Sequence, residues 1–377
     1  MSKAPGIPLL RGERVTLRPM TMADLPDLAR WGSDPEFRWF QWGMQPGRFE
    51  EANARKWIER MSQPGESGCW VIEHEGKPVG FANYRDYHPK GQSVEIGIGI
   101  GEPRLWGQHL GREALALELR YLQGELGLHR IGLSVVSHND RAIWMYKAAG
   151  FVVEGVERDG IGREEGFLDD VKMGLVQGRP RPEFDPRPLI LEGTMVRLEP
   201  LRMEHAEALL AAGDEDDIWR FVQPRPIGLA GYRTYIRRAL DETVLGQQLP
   251  FAVVRRRDDE VVGTTRYAHI DPPNRSLEIG YTFYGKGARR TPVNTESKLL
   301  LLRHAFETLR ANRVWLQTDK RNERSQNAIA RLGAKREGEL RNERILPDGR
   351  ARTSVVFGIT PEDWPDVRER LLGYLAR

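Results

Sequence analysis

The sequence predicts two tandem α/β domains, each with a mixed, mostly antiparallel central sheet flanked by helices. Three observations lead to this class. The chain has 377 residues, more than the roughly 250 to 300 that one hydrophobic core usually organises. Its composition, 40% hydrophobic and 29% charged, is that of a globular protein. Finally, strand and helix patterns alternate along the chain and occur twice.

An internal repeat runs through the chain. The segment LRGERVTLRPM at residues 10–20 matches LEGTMVRLEPL at residues 191–201. Farther on, a constant offset of 183 residues pairs identical residues without a gap: Glu95 with Glu278, Glu113 with Glu296, Arg130 with Arg313, Asn139 with Asn322, and Gly150 with Gly333. Chance does not hold one register across two strands, a helix and two loops, so we infer a duplication.

A connector between the two copies is predicted at residues 178–188. The segment QGRPRPEFDPRP, residues 177–188, contains four prolines. Proline fixes φ and lacks a backbone donor, so the segment disfavours helix and favours a stiff, extended chain. We therefore expect an N-terminal domain over residues 1–177 and a C-terminal domain over residues 189–377.

Hydrophobic periodicity and turn residues predict the elements of the first copy. In chain order they are a strand over residues 10–20, helices over 20–34 and 48–61, a hairpin of 69–73 with 79–85, a strand over 93–100, a helix over 111–126, a strand over 130–136, a helix over 140–149 and a hairpin over 152–175. Thr21 is the expected N-cap of the first helix. The second copy repeats this order.

Several protein classes do not fit this chain. No stretch approaches the roughly 18 uncharged apolar residues of a membrane helix, and the N-terminus lacks the apolar core of a secretion signal. Cys69 is the single cysteine, which excludes an intramolecular disulfide and a cysteine-based metal cage. Net charge is +3 with both signs interleaved. We expect a cytoplasmic protein without membrane or metal, and the charge pattern does not indicate nucleic acid.

A glycine-containing loop precedes the helix predicted over residues 111–126. Unpaired backbone N–H groups at the start of a helix attract an anion such as a pyrophosphate. The sequence therefore predicts an anion site in the loop and first helical residues, at Gln108, His109, Leu110, Gly111 and Arg112. An ordinary connecting loop is the alternative.

Asn139 and Tyr146 form a second candidate pair, in the segment SHNDRAIWMYKAAGF. Seven residues are about two helical turns, so both side chains lie on the same helix edge. Core packing of Tyr146 and helix N-capping by Asn139 are the alternatives that the residues leave open.

The order of strand, loop, helix and a further strand, followed by N-x-x-A-x-x-x-Y-x-x-x-G-F, resembles the GNAT superfamily of N-acyltransferases. LEIGYTF, NTESKLLLLRHAF and RNERSQNAIARLGAKREGELR resemble its ribosomal-protein N-acetyltransferase branch. The resemblance covers both copies, most specifically residues 94–175 and 277–359. It implies acetyl-CoA or another acyl-CoA as cosubstrate and an amine acceptor, either a small molecule or a protein N-terminus. A monomer and a homodimer both fit.

The resemblance also implies roles for individual residues. The sheet would splay after its fourth strand, so that the pantetheine of acyl-CoA pairs with the backbone of Ile98, Gly99 and Ile100. The predicted anion loop would bind the pyrophosphate, and Asn139 would lie near the pantetheine.

Two side chains of the first copy have implied catalytic roles. Glu95 would be the base, although a surface ion pair is its alternative. Tyr146 would be the acid, because a phenol with a pKa of about 10 stays protonated at neutral pH.

The second copy departs from this pattern. Ile329 stands at the tyrosine position, and Pro292 removes one loop amide. Glu278 would be its base, Ser325 a substitute for the tyrosine, and Asn322 the residue near pantetheine. The first hypothesis therefore places the main site in the first copy, with the second copy chiefly supporting structure, dimer-like packing or substrate selection. A variant of the same class reverses this and makes the second copy catalytic. A non-catalytic protein that senses acyl-CoA or binds a partner is the alternative function.

Overall fold

The structure is a computed structural model that describes residues 5–40, 51–62, 65–163, 166–178, 184–213, 215–221, 224–346 and 348–376. The chain divides into two compact units, Met1–Arg181 and Pro182–Arg377, which we call unit 1 and unit 2. Each unit is built on one eight-stranded sheet. The predicted α/β class is confirmed.

In unit 1 the elements follow the predicted order. The strands are β1 (Leu10–Arg11), β2 (Val15–Pro19), β3 (Gly68–His74), β4 (Lys77–His88), β5 (Ser93–Ile100), β6 (Arg130–Val136), β7 (Val152–Arg163) and β8 (Gly166–Val176). The helices are α1 (Leu25–Ser33), α2 (Pro35–Phe40), α3 (Glu51–Met61), α4 (Leu110–Leu119) and α5 (Asp140–Ala149). A π-helical turn, Arg120–Glu125, extends α4.

Unit 2 repeats these elements. Its strands are β9 (Leu191–Glu192), β10 (Val196–Pro200), β11 (Leu249–Arg255), β12 (Glu260–Asp271), β13 (Ser276–Tyr284), β14 (Arg313–Asp319), β15 (Lys335–Ile345) and β16 (Ala351–Ile359). Its helices are α6 (Ala206–Gly213), α7 (Asp216–Trp219), α8 (Gly228–Val244), α9 (Val293–Arg303), α10 (Glu323–Leu332) and α11 (Trp364–Leu375). A π-helical turn, His304–Thr308, extends α9.

The two sheets share one topology. The strand order is β1-β2-β3-β4-β5-β6-β8-β7 in unit 1 and β9-β10-β11-β12-β13-β14-β16-β15 in unit 2. Neighbouring strands run antiparallel except β5 with β6 and β13 with β14, which run parallel. Successive side chains of a strand point to opposite faces of the sheet, so alternate residues share a face. On one face of the sheet of unit 1, Cys69 and Val71 pack with Leu28 of α1 and Ile58 of α3.

Several predicted bounds agree with the structure, namely those of β5, β6 and α5. The opening strand is wrong in detail, because it breaks into β1 and β2 where the Gly12 N–H bonds the Val15 carbonyl at 2.9 Å. The helix predicted over residues 20–34 starts as a 3-10 turn, where the Thr21 N–H bonds Asp24 at 2.8 Å. Residues 48–50 of the next predicted helix lie outside the described residues. Helices α2 and α11 were not predicted.

The residues paired by the repeat make the same contacts in both units. Arg130 forms an ion pair with Glu154, and Arg313 forms one with Glu337. Glu113 accepts the Arg14 N–H at 2.9 Å, and Glu296 likewise accepts three N–H groups of residues 194–196 at 2.7 to 2.8 Å. These carboxylates anchor the opening strand of each unit to its long helix.

The division between the units falls inside the predicted connector, between Arg181 and Pro182. Phe184, also in that segment, is 1% exposed and packs in the core of unit 2. Residues 179–183 lie outside the described residues, so the bounds of the connector stay a prediction.

Candidate active site

The parallel strands of each sheet separate after three paired residues. In unit 1, β5 pairs with β6 only over residues 93–95, while β4 pairs with β5 as far as Ile100. In unit 2, β13 pairs with β14 only over residues 276–278. One edge of the later residues of β5 and β13 therefore faces an open gap, and Ile98, Gly99 and Ile100 lie on that edge in unit 1.

Helix α4 begins next to the gap of unit 1 with a run of free backbone donors. Within the described part of the chain, four consecutive N–H groups make no hydrogen bond, those of His109, Leu110, Gly111 and Arg112. Because the positive end of the helix dipole lies at the same place, these groups form an anion-binding cradle.

Of the two loop residues before α4, only His109 has a backbone N–H that makes no hydrogen bond among the described residues. The Gln108 N–H donates to the Leu105 carbonyl at 3.4 Å, so it is not among the free donors. Its carbonyl accepts from the Arg14 guanidinium at 2.8 Å. His109 has φ 65°, a left-handed conformation that glycine adopts more readily.

The corresponding loop of unit 2 is interrupted. Pro292 has no N–H, and the Val293 N–H lies 3.4 Å from the Thr291 hydroxyl. The N–H groups of Asn294 and Thr295 make no hydrogen bond within the described residues. At the four corresponding positions unit 2 therefore offers one pair of free amides, those of Asn294 and Thr295, where unit 1 offers an unbroken run of four.

The predicted bases stand in different surroundings. Glu95 is 43% exposed, and its carboxylate pairs with the Arg85 guanidinium at 2.9 Å. The surface ion pair that the sequence left open is therefore present. Glu278 is 4% exposed and accepts a hydrogen bond from Nδ1 of His269 at 2.7 Å.

His269 connects the buried Glu278 to the surface. Its side chain is half exposed and lies 5.5 Å from the ring of Trp315. The hydrogen bond from His269 to Glu278 raises the pKa of the imidazole above its usual value. The other Glu278 oxygen rests over Gly280, where an added Cβ would lie 2.6 Å away. Glu278 and His269 therefore form a fixed pair beside the gap.

A β-bulge distinguishes β13 from β5. Tyr281 and Thr282 together stand opposite Thr265, and Tyr281 has φ 51°. Strand β5 pairs residue for residue with β4 from Glu95 to Ile100. Bulges re-aim backbone and side chains next to binding sites, so the two gaps have different linings.

The predicted asparagines cap helices. Oδ1 of Asn139 accepts the Ala142 N–H at 3.2 Å, and Oδ1 of Asn322 accepts the Ser325 N–H at 3.1 Å. The capping alternative for Asn139 is therefore correct, and Asn322 shares it. Ser325 is half-buried in the first turn of α10.

Tyr146 is 4% exposed and packs against Phe151, with ring centroids 5.7 Å apart. Burial, and the nearby Glu118, raise the pKa of the Tyr146 phenol. In unit 2 the buried Ile329 occupies this position.

The acetyltransferase (GNAT) domain family matches this chain twice, over residues 14–152 and 196–335, which is well over half of its length. This chain belongs to the GNAT acetyltransferase family. The predicted resemblance and the tandem arrangement of two GNAT domains are both confirmed, and the chain is an N-acetyltransferase by family.

Individual relatives are distant. An uncharacterized protein of Methanocaldococcus jannaschii is 27% identical over 165 residues, which cover 42% of this GNAT chain and 31% of that protein. The uncharacterized N-acetyltransferase p20 of Bacillus licheniformis is 26% identical over 38% of this chain and 82% of its own. The crystal structure of a GCN5-related N-acetyltransferase from Brucella melitensis is 28% identical, covers 51% of this chain and 87% of that one, and has a TM-score of 0.48.

The structure adds a residue of the second GNAT unit that sequence reasoning missed. Lys298 of α9 is 5% exposed, and its amine donates to Thr282 at 2.9 Å and Thr265 at 3.3 Å. Burial lowers the pKa of Lys298 to about 7. Leu115 stands at this position in unit 1. The sequence held one indication that this lysine is buried, namely its position directly before the apolar run LLLL.

Two further observations concern only the described part of this GNAT chain. None of its helices is both long and apolar enough to cross a membrane. No cluster of three or more His, Cys, Asp or Glu side chains is placed to hold a metal ion among those residues.

Proposed function

We propose that this chain transfers an acetyl group from acetyl-CoA to a primary amine by direct attack, and that unit 2 holds the catalytic base. One observation carries the proposal: Glu278 is buried beside the gap and hydrogen-bonded to a half-exposed His269. A carboxylate that orients an imidazole is a recurrent general-base arrangement. Membership of the GNAT family supplies the reaction class.

The proposed reaction uses the pair as one base. The amine nitrogen attacks the thioester carbonyl carbon, a C–N bond forms, and the C–S bond breaks to release CoA as a thiolate. Nε2 of His269 takes the proton of the amine, while Glu278 holds Nδ1 and stabilises the imidazolium that results. The thiolate then takes up a proton, and the Ser325 hydroxyl is our candidate for supplying it.

Acyl-CoA itself is the proposed ligand of both gaps. Beyond the parallel pairing, β5 and β13 have no strand partner on one side, and the amides of pantetheine would pair with the backbone there. At the end of each strand one carbonyl is already used, since Ile100 accepts from Nε1 of Trp106 at 2.7 Å and Tyr284 accepts from Nε of Arg289 at 2.8 Å. In unit 1 the free N–H groups at the start of α4 suit the pyrophosphate. In unit 2 the interrupted amides at the start of α9 would bind it less completely.

Unit 1 has a second candidate role, that of an acyl-CoA-binding unit with little turnover. Its cradle is unbroken, but Glu95 is half exposed and paired with Arg85. Tyr146 would be the acid if unit 1 does turn over.

Release of CoA thiol tests the proposal directly. The full chain is mixed with acetyl-CoA and a panel of amines, including small primary amines and a peptide N-terminus, and free thiol is measured. Release above the hydrolysis background with at least one amine is expected. Calorimetric binding of acetyl-CoA without thiol release from any amine would contradict the proposal and favour the sensor.

A further inference from the structure

Arg266 is a buried arginine of β12 with an incomplete set of hydrogen bonds. It is 4% exposed, and Nη1 donates to the side-chain oxygen of Gln248 at 2.9 Å. Its guanidinium lies between two aromatic rings, 4.4 Å from the centroid of Tyr235 and 4.8 Å from that of Tyr281. The rings fix the plane of the guanidinium and exclude water from its faces.

The two remaining donors of Arg266 have no partner. Nε and Nη2 are buried and make no hydrogen bond in the part of the chain that the structure describes. A buried charged donor without a partner is costly, so such groups usually meet a ligand. Nε–H and Nη2–H lie parallel on one edge of the guanidinium. That edge is the fork that binds the two oxygens of a carboxylate.

A second unsatisfied donor belongs to a ring that contacts the Arg266 guanidinium. The hydroxyl of Tyr235, whose ring contacts the Arg266 guanidinium, is also buried and has no hydrogen-bond partner among the described residues. Two side chains that contact each other, from α8 and β12, thus both have unpaired donors. A carboxylate has two acceptor oxygens that match the fork and can also accept from a hydroxyl.

The fork lies close to the proposed base. Arg266 stands directly opposite Gly280 in the β12–β13 pair, and a Glu278 oxygen rests over Gly280. Residues that face each other in an antiparallel pair project from the same side of the sheet. Arg266 and Glu278 therefore share one face and are one cross-strand position apart.

Unit 1 lacks this arrangement. At the offset of 183 residues, Asn83 replaces Arg266 and Ile98 replaces Tyr281. Asn83 is itself buried, and it faces Gly97 as Arg266 faces Gly280. Both units therefore bury a polar side chain at this position, but only the side chain of unit 2 is charged.

We infer that the acceptor of unit 2 carries a carboxylate, bound by the fork of Arg266, in addition to the amine that is acetylated. This inference rests on the proposed function and narrows its substrate to amino acids and related amino carboxylates. The carboxylate oxygens accept from Nε and Nη2, and the Tyr235 hydroxyl donates to one of them. The amine then extends toward Glu278 and His269.

Matched probes test the inference. Alanine, β-alanine and 4-aminobutyrate place the amine at three distances from the carboxylate, and the carboxamide of each keeps the amine without the charge. Binding to the full chain is measured by calorimetry with CoA present, so that no transfer occurs. At least one carboxylate should bind at least tenfold more tightly than its carboxamide.

Variants then locate the preference. Arg266→Gln should reduce it to less than threefold, while Arg237→Gln, which removes an exposed charge from α8, should leave it intact. Circular dichroism shows whether Arg266→Gln folds. If it does not, Arg266→Lys serves instead, because lysine keeps the charge without the fork. In Arg266→Lys the logarithm of the carboxylate-to-carboxamide affinity ratio should fall to half of the parent value or less. Equal binding of all three pairs by the parent chain overturns the inference, as does a preference that survives the loss of Arg266.

Thiol release from acetyl-CoA with the same probes separates this inference from the proposed function. A carboxylate preference in binding without thiol release from any amine would support the inference and contradict the proposed catalysis. Thiol release from carboxylates and carboxamides at equal rates would support catalysis and overturn the inference.

Discussion

Units 1 and 2 began as copies and now differ in which part of the GNAT site they retain. Unit 1 has an unbroken run of free amides at the start of α4, but its Glu95 is half exposed and ion-paired. Unit 2 has a buried Glu278 bonded to His269, but Pro292 interrupts its amides. The amide cradle and the base have thus diverged independently of each other. The contacts that hold the fold, such as the Arg130–Glu154 and Arg313–Glu337 ion pairs, persist in both units.

The side chains that line the two sheets show the same divergence. In unit 2, Arg266 and Lys298 bring two cations into the interior. At the same positions unit 1 has Asn83 and Leu115, and its β5 carries only glycine and isoleucine from residue 96 to residue 100. Unit 1 buries a different ionisable side chain, Glu118, which is 0% exposed and whose carboxylate oxygens have no hydrogen-bond partner among the described residues. Buried ionisable groups therefore occur in both units, and it is the Glu278–His269 pair that makes unit 2 the better candidate for chemistry.

The largest expected effect is on kcat/KM, and it should distinguish Glu278 of unit 2 from Glu95 of unit 1. Glu278→Gln should lower kcat/KM at least 100-fold, because it removes the carboxylate that orients His269 and stabilises its imidazolium, and general base catalysis contributes two to four orders of magnitude. Glu95→Gln, the matched change in unit 1, should lower it less than about threefold. Thiol release with one accepted amine measures both. A larger loss in Glu95→Gln would place the catalytic base in unit 1.

The pH dependence of the same rate tests the role of His269. Its pKa is raised by Glu278, so the neutral imidazole that accepts a proton should accumulate only above pH 6.5. We expect kcat/KM to rise with a midpoint above 6.5 in the parent chain. In His269→Gln this limb should disappear, and a limb that persists unchanged would assign it to another group.

Lys298 should make unit 2 less stable at pH 6 than at pH 9. Its folded pKa of about 7 lies below the usual value, so the unfolded chain binds the extra proton between about pH 7 and 10. The free energy of unfolding therefore rises with pH across this window, and below it the full cost of burying the charge remains. Lys298→Met should flatten this rise and stabilise unit 2 at pH 6 by on the order of 2 to 4 kcal/mol.

Urea unfolding at pH 6 and pH 9 measures this difference. Leu115→Met is the matched control, since it changes the same position of unit 1 without a charge and should cost less than about 1.5 kcal/mol at either pH. A stabilisation by Lys298→Met that is equal at both pH values would show that packing, and not titration, is responsible.

The cradle of unit 1 can be broken at one amide. Arg112→Pro removes a free N–H in the first turn of α4, where proline is tolerated, and Arg112→Ala removes only the side chain. We expect Arg112→Pro to weaken acetyl-CoA binding about tenfold relative to Arg112→Ala, because a hydrogen bond to a charged group contributes about 1.5 kcal/mol or more. Equal calorimetric affinities would mean that this amide does not contact the pyrophosphate.

The fold was readable from the sequence because it depends on local periodicity and on the repeat. Strands β5 and β6 and helix α5 have apolar spacing and glycine boundaries that fixed their limits. The break between β1 and β2 was missed because a turn at Gly12 needs only one backbone hydrogen bond, which leaves no periodic signal. The bulge at Tyr281 was missed for the same reason.

The candidate site was only partly predictable. The sequence indicated Glu278 and the free amides of α4, because motif position and helix ends are local features. It did not indicate His269, Lys298 or Arg266, since their partners come from other strands and helices and their importance lies in burial. A buried charge is distinguished from an exposed one by tertiary packing alone.

The smallest expected effects concern the two candidate acids. Tyr146→Phe removes one hydroxyl from a well-packed ring, and if unit 2 catalyses the reaction it should change kcat less than twofold. Ser325→Ala keeps the N–H that Asn322 accepts, and it should lower kcat less than about fivefold, because a thiolate whose thiol has a pKa of about 8.5 also takes a proton from water. Both variants are assayed with the amine used for Glu278→Gln. A loss above tenfold in Tyr146→Phe alone would return the acid, and with it the active site, to unit 1.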